Sequence, residues 1–368
     1  MKFIDMFAGI GGFRSGLEQA GHKCIGYIEW DKFARQSYQA MYDTQGEFTD
    51  NDIQKTKGIK LPEADLWTFG SPCTNISLAG NRTGIGGEQS RMFFEVIRLL
   101  KERAENQKTL PTYLIMENVK NLLSSNQGRD FAEVIYQMDK VGYDAEWCVF
   151  DSAEVVPQHR ERIYIVGHLR CRRTRKVFPI IRKNGETNKT DKADKAVIQI
   201  GNISNSKSFG GNPQVGRVYG IDGIAPTLST MQGGSQEPKA LISKKQLGRL
   251  GQQAINTFND NKNNILPGDV IEPYNHRLHK DGKTPTVTTR PEGLKTCILP
   301  ITTNFRIRKL TPRECWRLQG FSDEQFDKAK AAGVSNSQLY KQAGNAVTVP
   351  IVRAIGEKLA ENEAKKMR

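Results

Sequence analysis

No two of the six cysteines, at positions 24, 73, 148, 171, 297 and 315, stand in Cys-x-x-Cys spacing. Without that spacing or a dense disulfide framework, a reducing compartment is expected and a metal site is not. A long apolar run is also missing, and Met1-Lys2-Phe3-Ile4-Asp5 carries no signal-peptide pattern. A soluble cytoplasmic protein with no membrane contact follows, and a monomer is expected. Negative charge is in short supply: 40 acidic against 54 basic side chains leave a net charge of +14 and a pI near 9.4. Such a balance suits a polyanionic partner, and nucleic acid is the obvious one. The 368 residues allow one large core or two domains.

The first 170 residues alternate between strand and helix patterns. Residues 2–7 read as an apolar strand, 9–12 as a glycine turn, 13–20 as a helix and 24–29 as a second strand. Further strand-like runs at 66–69, 113–116 and 163–166 are separated by helical patterns at 92–105 and 130–141. This predicts an α/β fold with a doubly wound, mostly parallel sheet. After Gly167 basic residues crowd together, and Asn, Gly, Ser, Thr and Lys then dominate to about residue 304. A second, smaller, irregular, β-rich domain is expected over 171–324. The catalytic domain of 1–170 would be completed by 325–368, including a helix over 347–361. One internal repeat stands out: Asp222-Gly223-Ile224-Ala225-Pro226-Thr227-Leu228-Ser229-Thr230 is echoed by Asp281-Gly282-Lys283-Thr284-Pro285-Thr286-Val287-Thr288-Thr289. Both copies read as a turn feeding a strand.

Four short motifs carry chemistry in a fixed order: Phe7-Ala8-Gly9-Ile10-Gly11-Gly12, Gly70-Ser71-Pro72-Cys73, Glu117-Asn118-Val119 and Gln158-His159-Arg160-Glu161-Arg162. The glycine loop lacks the Lys-Ser/Thr pair of a triphosphate loop. Glu29, at the end of the second strand, can accept both hydroxyls of a ribose; Trp30 can stack on an adenine and Asp52 can accept its amino group. With Phe7 over the site, this favours S-adenosylmethionine over a dinucleotide. Carbon 5 of cytosine is a poor nucleophile until a thiolate adds at carbon 6, which is what Cys73 can supply. Glu117 can share a proton with ring nitrogen 3. Arg160 and Arg162 alternate along a strand and share one face, where they can hold oxygen 2, a phosphate or Glu117, and favour the thiolate.

These motifs resemble those of the DNA (cytosine-5) methyltransferases of bacterial or phage type, over nearly the whole chain. Arg308-Lys309-Leu310-Thr311-Pro312-Arg313-Glu314-Cys315 with Leu318-Gln319-Gly320-Phe321 is similar to the family motif that supports the recognition domain. The run from Tyr340 through Gly344-Asn345-Ala346-Val347 is similar to the motif that completes the cofactor pocket. The resemblance implies methyl transfer from S-adenosylmethionine to carbon 5 of a cytosine flipped out of duplex DNA, in a bacterial or phage-infected cell. It leaves room for a cognate restriction endonuclease acting separately. It implies catalytic roles for Cys73, Glu117, Arg160 and Arg162. Cofactor contacts are implied at Phe7, Gly9, Gly11, Gly12, Glu29, Trp30, Asp52, Ile53, Pro72, Asn345 and Ala346. The chain departs from the pattern at Thr74, where glutamine is common after the nucleophile.

A glycine-rich stretch over 77–91 suits a lid closing over the flipped base, with Ser77, Gly80 and Arg91 as DNA contacts. Gln214-Val215-Gly216-Arg217-Val218-Tyr219 resembles the recognition region of some members. On that similarity Gln214 would fill the gap opposite the orphan guanine, Arg217 would read a guanine and Thr227 would touch a phosphate. Arg277, Thr286 and Arg290, around the second repeat copy, are rival candidates. Arg170 to Lys183 would attract phosphates without reading sequence. Two other readings stand beside this one. An RNA cytosine-5 methyltransferase resembling the tRNA-aspartate enzyme is disfavoured by the basic segment between Arg162 and Arg308. A catalytically dead DNA-binding relative is disfavoured by the retained Cys73, Glu117, Arg160 and Arg162. Amino-group methyltransferases carry a Pro-Pro-aromatic run, which this chain lacks.

Overall fold

Side chains alternate across β1 (Lys2–Met6), sending Ile4 and Met6 into one hydrophobic cluster and Phe3 into another on the opposite face. A computed structural model describes residues 1–70, 92–180, 197, 199–202, 217–219, 225–228, 239–243, 270–272, 277–279 and 305–366. Around β1 the chain lays down β2 (Lys23–Ile28), β3 (Phe48–Asp50), β4 (Leu66–Phe69), β5 (Tyr113–Val119), β6 (Tyr143–Asp151) and β7 (Glu161–Leu169). They form one sheet in the order β3-β2-β1-β4-β5-β7-β6. From β3 to β5 every pairing is parallel, whereas β7 runs antiparallel to both β5 and β6. The mostly parallel, doubly wound sheet expected from the sequence is therefore present, with β6 as an edge strand that the reading of periodicity missed.

Strands leave β1 in two directions, towards β2 and β3 on one side and β4 and β5 on the other. Such a reversal opens a crevice at the carboxyl ends of the strands, the usual ligand position in open α/β sheets. Helices cover both faces. On one, α3 (Met92–Glu105) buries Phe93, Val96, Ile97, Leu100 and Arg103 at helical spacing, and α4 (Arg129–Lys140) buries Asp130, Val134 and Met138. On the other, α1 (Gly12–Gln19) packs against the C-terminal helix α8 (Val349–Ala364). Here a Cβ on Gly16 would come within 2.7 Å of the Val352 side chain.

Caps rather than periodicity mark the remaining helices. Asp31 accepts from the amides of Phe33 and Ala34 at the start of α2 (Lys32–Met41). Thr311 with Glu314, and Ser322 with Gln325, form capping boxes on α5 (Pro312–Arg317) and α6 (Asp323–Ala331). Ser335 caps α7 (Asn336–Asn345). Residue 324 does not interrupt this packing: Cys315, Trp316 and Phe321 bury in one cluster with Phe326, Leu339, Ala343, Ala346 and Ile10.

The described pieces between β7 and α5 are short strands. β8 (Gln199–Asn202), β9 (Arg217–Tyr219), β10 (Lys239–Ser243) and β13 (Phe305–Lys309) pair in the order β13-β10-β9-β8. β11 (Val270–Glu272) and β12 (Arg277–His279) form a two-stranded ladder. Among the described residues no helix is long and apolar enough to cross a membrane. None of their His, Cys, Asp and Glu side chains cluster in a way that could hold a metal.

Candidate active site

The loop after β1 is folded by backbone strain and close packing. Phe7, Gly9 and Gly11 all hold positive φ, at 54°, 55° and 78°, and a non-glycine residue pays for that conformation. Gly11 has no room for a side chain, since its Cβ would meet the Tyr42 ring at 2.6 Å; that of Gly12 would meet the Val347 carbonyl oxygen at 2.7 Å. Gly9 differs: a Cβ there would meet nothing within 4 Å, so its left-handed backbone borders open space. Beneath the loop, Arg14 is buried and donates to both carboxylate oxygens of Glu47, to Glu18 and to the Asp43 carbonyl, with its guanidinium over the Tyr42 ring. This brace was not anticipated, although the Arg14/Glu18 spacing of one helical turn was its visible trace.

Glu29 sits beyond the end of β2, with its oxygens accepting from the amides of Gly9 and Asp31, both at 2.7 Å. Burial raises its carboxyl above the usual range, against the pull of those two amides. Beside it Trp30 is 71% exposed, an unusual state for so large an apolar ring and one that leaves it open to stacking. The Glu29 amide donates to the Asp50 carbonyl, bringing the ends of β2 and β3 together and Asp52 near them. Asp52 accepts from the Gln54 amide and pairs with Lys55 at 3.3 Å, while Ile53 is buried in the core. Phe7, Gly9, Gly11, Gly12, Glu29, Trp30, Asp52 and Ile53 thus lie along one edge of the sheet.

Register places the acid and the arginines. Glu117 on β5 is paired with Tyr164 on β7, and alternation puts Arg162 on the same face as Tyr164. Arg162 Nε lies 3.1 Å from Glu117 Oε1, an ion pair without hydrogen-bond alignment, so that oxygen keeps its lone pairs for a further partner. The Glu117 oxygen, Arg160 Nε and the Tyr164 hydroxyl are three buried polar atoms without a hydrogen bond among the described residues. Burial, then the neighbouring Glu117, hold the Tyr164 hydroxyl protonated. Gly70, at the end of β4, closes the group: a Cβ on it would be 3.5 Å from Glu117 Oε2. Cys73 and Pro72 fall outside the described residues, as do Ser77, Gly80, Arg91, Gln214, Thr286 and Arg290.

Arg160 and Arg162 do different things. Arg160 precedes β7, is fully buried, and donates to the carbonyls of Gly344 at 3.3 Å and Ala346 at 3.0 Å. Burial and the charge of Arg162 lower its guanidinium to about 9, against the pull of Glu117, so it stays a cation at neutral pH. It clamps the segment that caps α7, with Asn345 exposed and Ala346 buried, against the start of β7.

A chain of buried hydrogen bonds continues from there. Ser152 meets Thr348 at 2.8 Å, Thr348 donates to Gln319 at 3.3 Å, Gln319 to Gln158 at 3.0 Å, and Gln158 to the Pro226 carbonyl at 3.1 Å. The first repeat copy is thereby tied to the arginine motif. The His159 amide donates to the Ala225 carbonyl and the Ala225 amide to that of Pro157, while Leu228 buries beside Ile10. Thr227 is exposed, but its hydroxyl proton is committed to the His159 carbonyl at 2.7 Å. Arg217 opens β9 and Arg277 opens β12. None of these cross-links was visible in the sequence.

The model of the family described as C-5 cytosine-specific DNA methylase matches residues 1–361. The type II methyltransferase M.SsoII of Shigella sonnei is 31% identical, with 97% of this chain and 79% of that protein aligned. The orphan methyltransferase M.SPBetaI of Bacillus phage SPbeta is 28% identical across 98% of this chain and 97% of its own length. Among solved structures, the Dnmt2 methyltransferase of S. pombe superposes with a TM-score of 0.58 at 16% identity, covering 98% of each chain, a likeness of fold.

Proposed function

Because the chain belongs to the C-5 cytosine-specific DNA methylase family and is a DNA cytosine methyltransferase, we propose that it methylates one short duplex sequence through a covalent Cys73 adduct to a flipped-out base. The observation that carries this reading is the position of Gly70 against Glu117, itself paired with Arg162. Cys73 follows Gly70 by three residues, and three extended residues span at most about 11 Å, a tether short enough for the thiol to be brought to that carboxylate.

S-adenosylmethionine, when bound, supplies an electrophilic methyl group. The residues along the β1 to β3 edge fit it: Gly9 leaves its side open, Glu29 presents a fixed carboxylate for a ribose, and Trp30 offers a free aromatic face. The first turn of α1 holds no acidic side chain and suits the carboxylate of the methionine part. Arg160 holds Asn345 and Ala346 over the same edge.

On the substrate side, the Cys73 thiolate forms a bond to carbon 6 of cytosine, and Glu117 protonates or shares a proton with ring nitrogen 3 as charge builds there. Arg162 keeps Glu117 oriented. Carbon 5, now nucleophilic, takes the methyl group. Loss of its proton to a base expels the thiolate and restores the aromatic ring. We assign base reading to the region 171–324 and favour the first repeat copy, because its described residues are bonded to the arginine motif.

Transfer of labelled methyl groups to duplex DNA and to tRNA, assayed in parallel and followed by bisulfite sequencing, tests the reading. Label is expected on cytosine carbon 5 within one short duplex sequence. Label confined to tRNA, or found on the exocyclic amine, would overturn it.

A further inference from the structure

Neither the chemistry nor the cofactor site assigns a role to His159 of the arginine motif. Its backbone is bonded on both sides to the first repeat copy, through the Ala225 carbonyl and the Thr227 hydroxyl, and its side chain is exposed. The ring is not free to turn: Nδ1 lies 2.6 Å from Asp151 Oδ2. Asp151 is fixed in its turn, since its other oxygen accepts from the amides of Ala153 and Arg160. Although partial burial opposes it, those amides and His159 hold the Asp151 carboxyl below its usual range. It is an anion at neutral pH and can only accept.

From this geometry we infer that His159 is a proton-dependent contact to the DNA backbone at the seam between the arginine motif and the recognition segment. The inference rests on the reading of the chain as a duplex-DNA methyltransferase. A carboxylate at Nδ1 places the proton of the neutral ring there, leaving Nε2 as a lone-pair acceptor that repels phosphate. Protonation turns Nε2 into a charged donor and changes the His159–Asp151 pair from net negative to neutral. Among the described residues the other charged groups at this corner are Glu154 in the turn after β6, Glu161 paired with Lys120 at 2.7 Å, and the inward-turned Arg160 and Arg162. The Glu161–Lys120 pair is internally neutralised, so a proton gained or lost at the His159–Asp151 pair changes the charge that a phosphate would meet here.

Fluorescence anisotropy of a labelled duplex with the full chain tests this at pH 6 and pH 8, over a range of salt concentrations. Wild-type binding is expected to weaken about fivefold at pH 8, with the salt dependence shallower by about 0.9 in log–log slope, one phosphate contact fewer. His159→Ala should bind weakly at both pH values. Asp151→Asn should bind tightly at both, because an amide nitrogen facing Nδ1 moves the ring proton to Nε2 and removes a negative charge. A purely structural pair would move both variants the same way, so matching losses overturn the inference. So does wild-type binding that does not change with pH, or pH dependence that survives in His159→Ala. Absence of duplex binding at every pH, with tRNA bound instead, overturns the parent reading and this one with it.

Discussion

Glu117→Gln is expected to lower kcat for methylation about a thousandfold, the scale of a lost general acid, while leaving the affinity for S-adenosylmethionine unchanged. The side chain is nearly isosteric, so the position beside Gly70 should survive. What is lost is the proton at ring nitrogen 3 and the charge that orients Arg162. Steady-state kinetics on duplex DNA, with cofactor affinity measured by calorimetry, separate the two quantities. A kcat within about threefold of wild type would mean that the carboxyl only supports the sheet.

Arg160→Met should act through a different route. The buried guanidinium satisfies two carbonyls, those of Gly344 and Ala346, and Met fills similar volume without a donor. Leaving both acceptors unsatisfied at the closing segment is expected to lower stability by about 2–5 kcal/mol in urea unfolding. Because that segment packs on Gly12, cofactor affinity should fall as well. Arg162→Met, by contrast, should spare stability and reduce kcat, since Arg162 meets Glu117 rather than the closing segment. Equal behaviour of the two variants would contradict the division of labour between the arginines.

Periodicity read best for an amphipathic helix and for a central strand that is buried throughout. The helix expected over 92–105 and the strand over 66–69 match α3 and β4 in both bounds. The strand expected over 113–116 runs on to Val119, because β7 pairs with it antiparallel and extends the ladder past Glu117. β6 was invisible: as an edge strand it is half-buried along most of its length and shows no clean alternation. Helices α2, α5, α6 and α7 announce themselves through caps at Asp31, Thr311, Ser322 and Ser335 more than through apolar spacing.

At the candidate site, motif order singled out Glu29, Glu117 and the two arginines, and the fold places them along the carboxyl edge of the sheet. Spacing could not tell Arg160 from Arg162. Their difference depends on a carbonyl pair at 344 and 346, far along the chain, and on the length of β7. The same holds for Gln158, Gln319 and Thr348, whose bonding to one another is decided by tertiary packing. Arg14 carried a local sign in Glu18, but its larger partner, Glu47, lies beyond the next helix.

A duplex with 5-fluorocytosine at the target position, incubated with the chain and S-adenosylmethionine, bears on the carbon–sulfur bond itself. Fluorine cannot leave carbon 5 as a proton does, so the enzyme should be trapped as a denaturation-resistant complex that mass spectrometry maps to Cys73. Cys73→Ser should form none. Methylation persisting in that variant, or a complex mapped to any other residue, would refute covalent catalysis by Cys73.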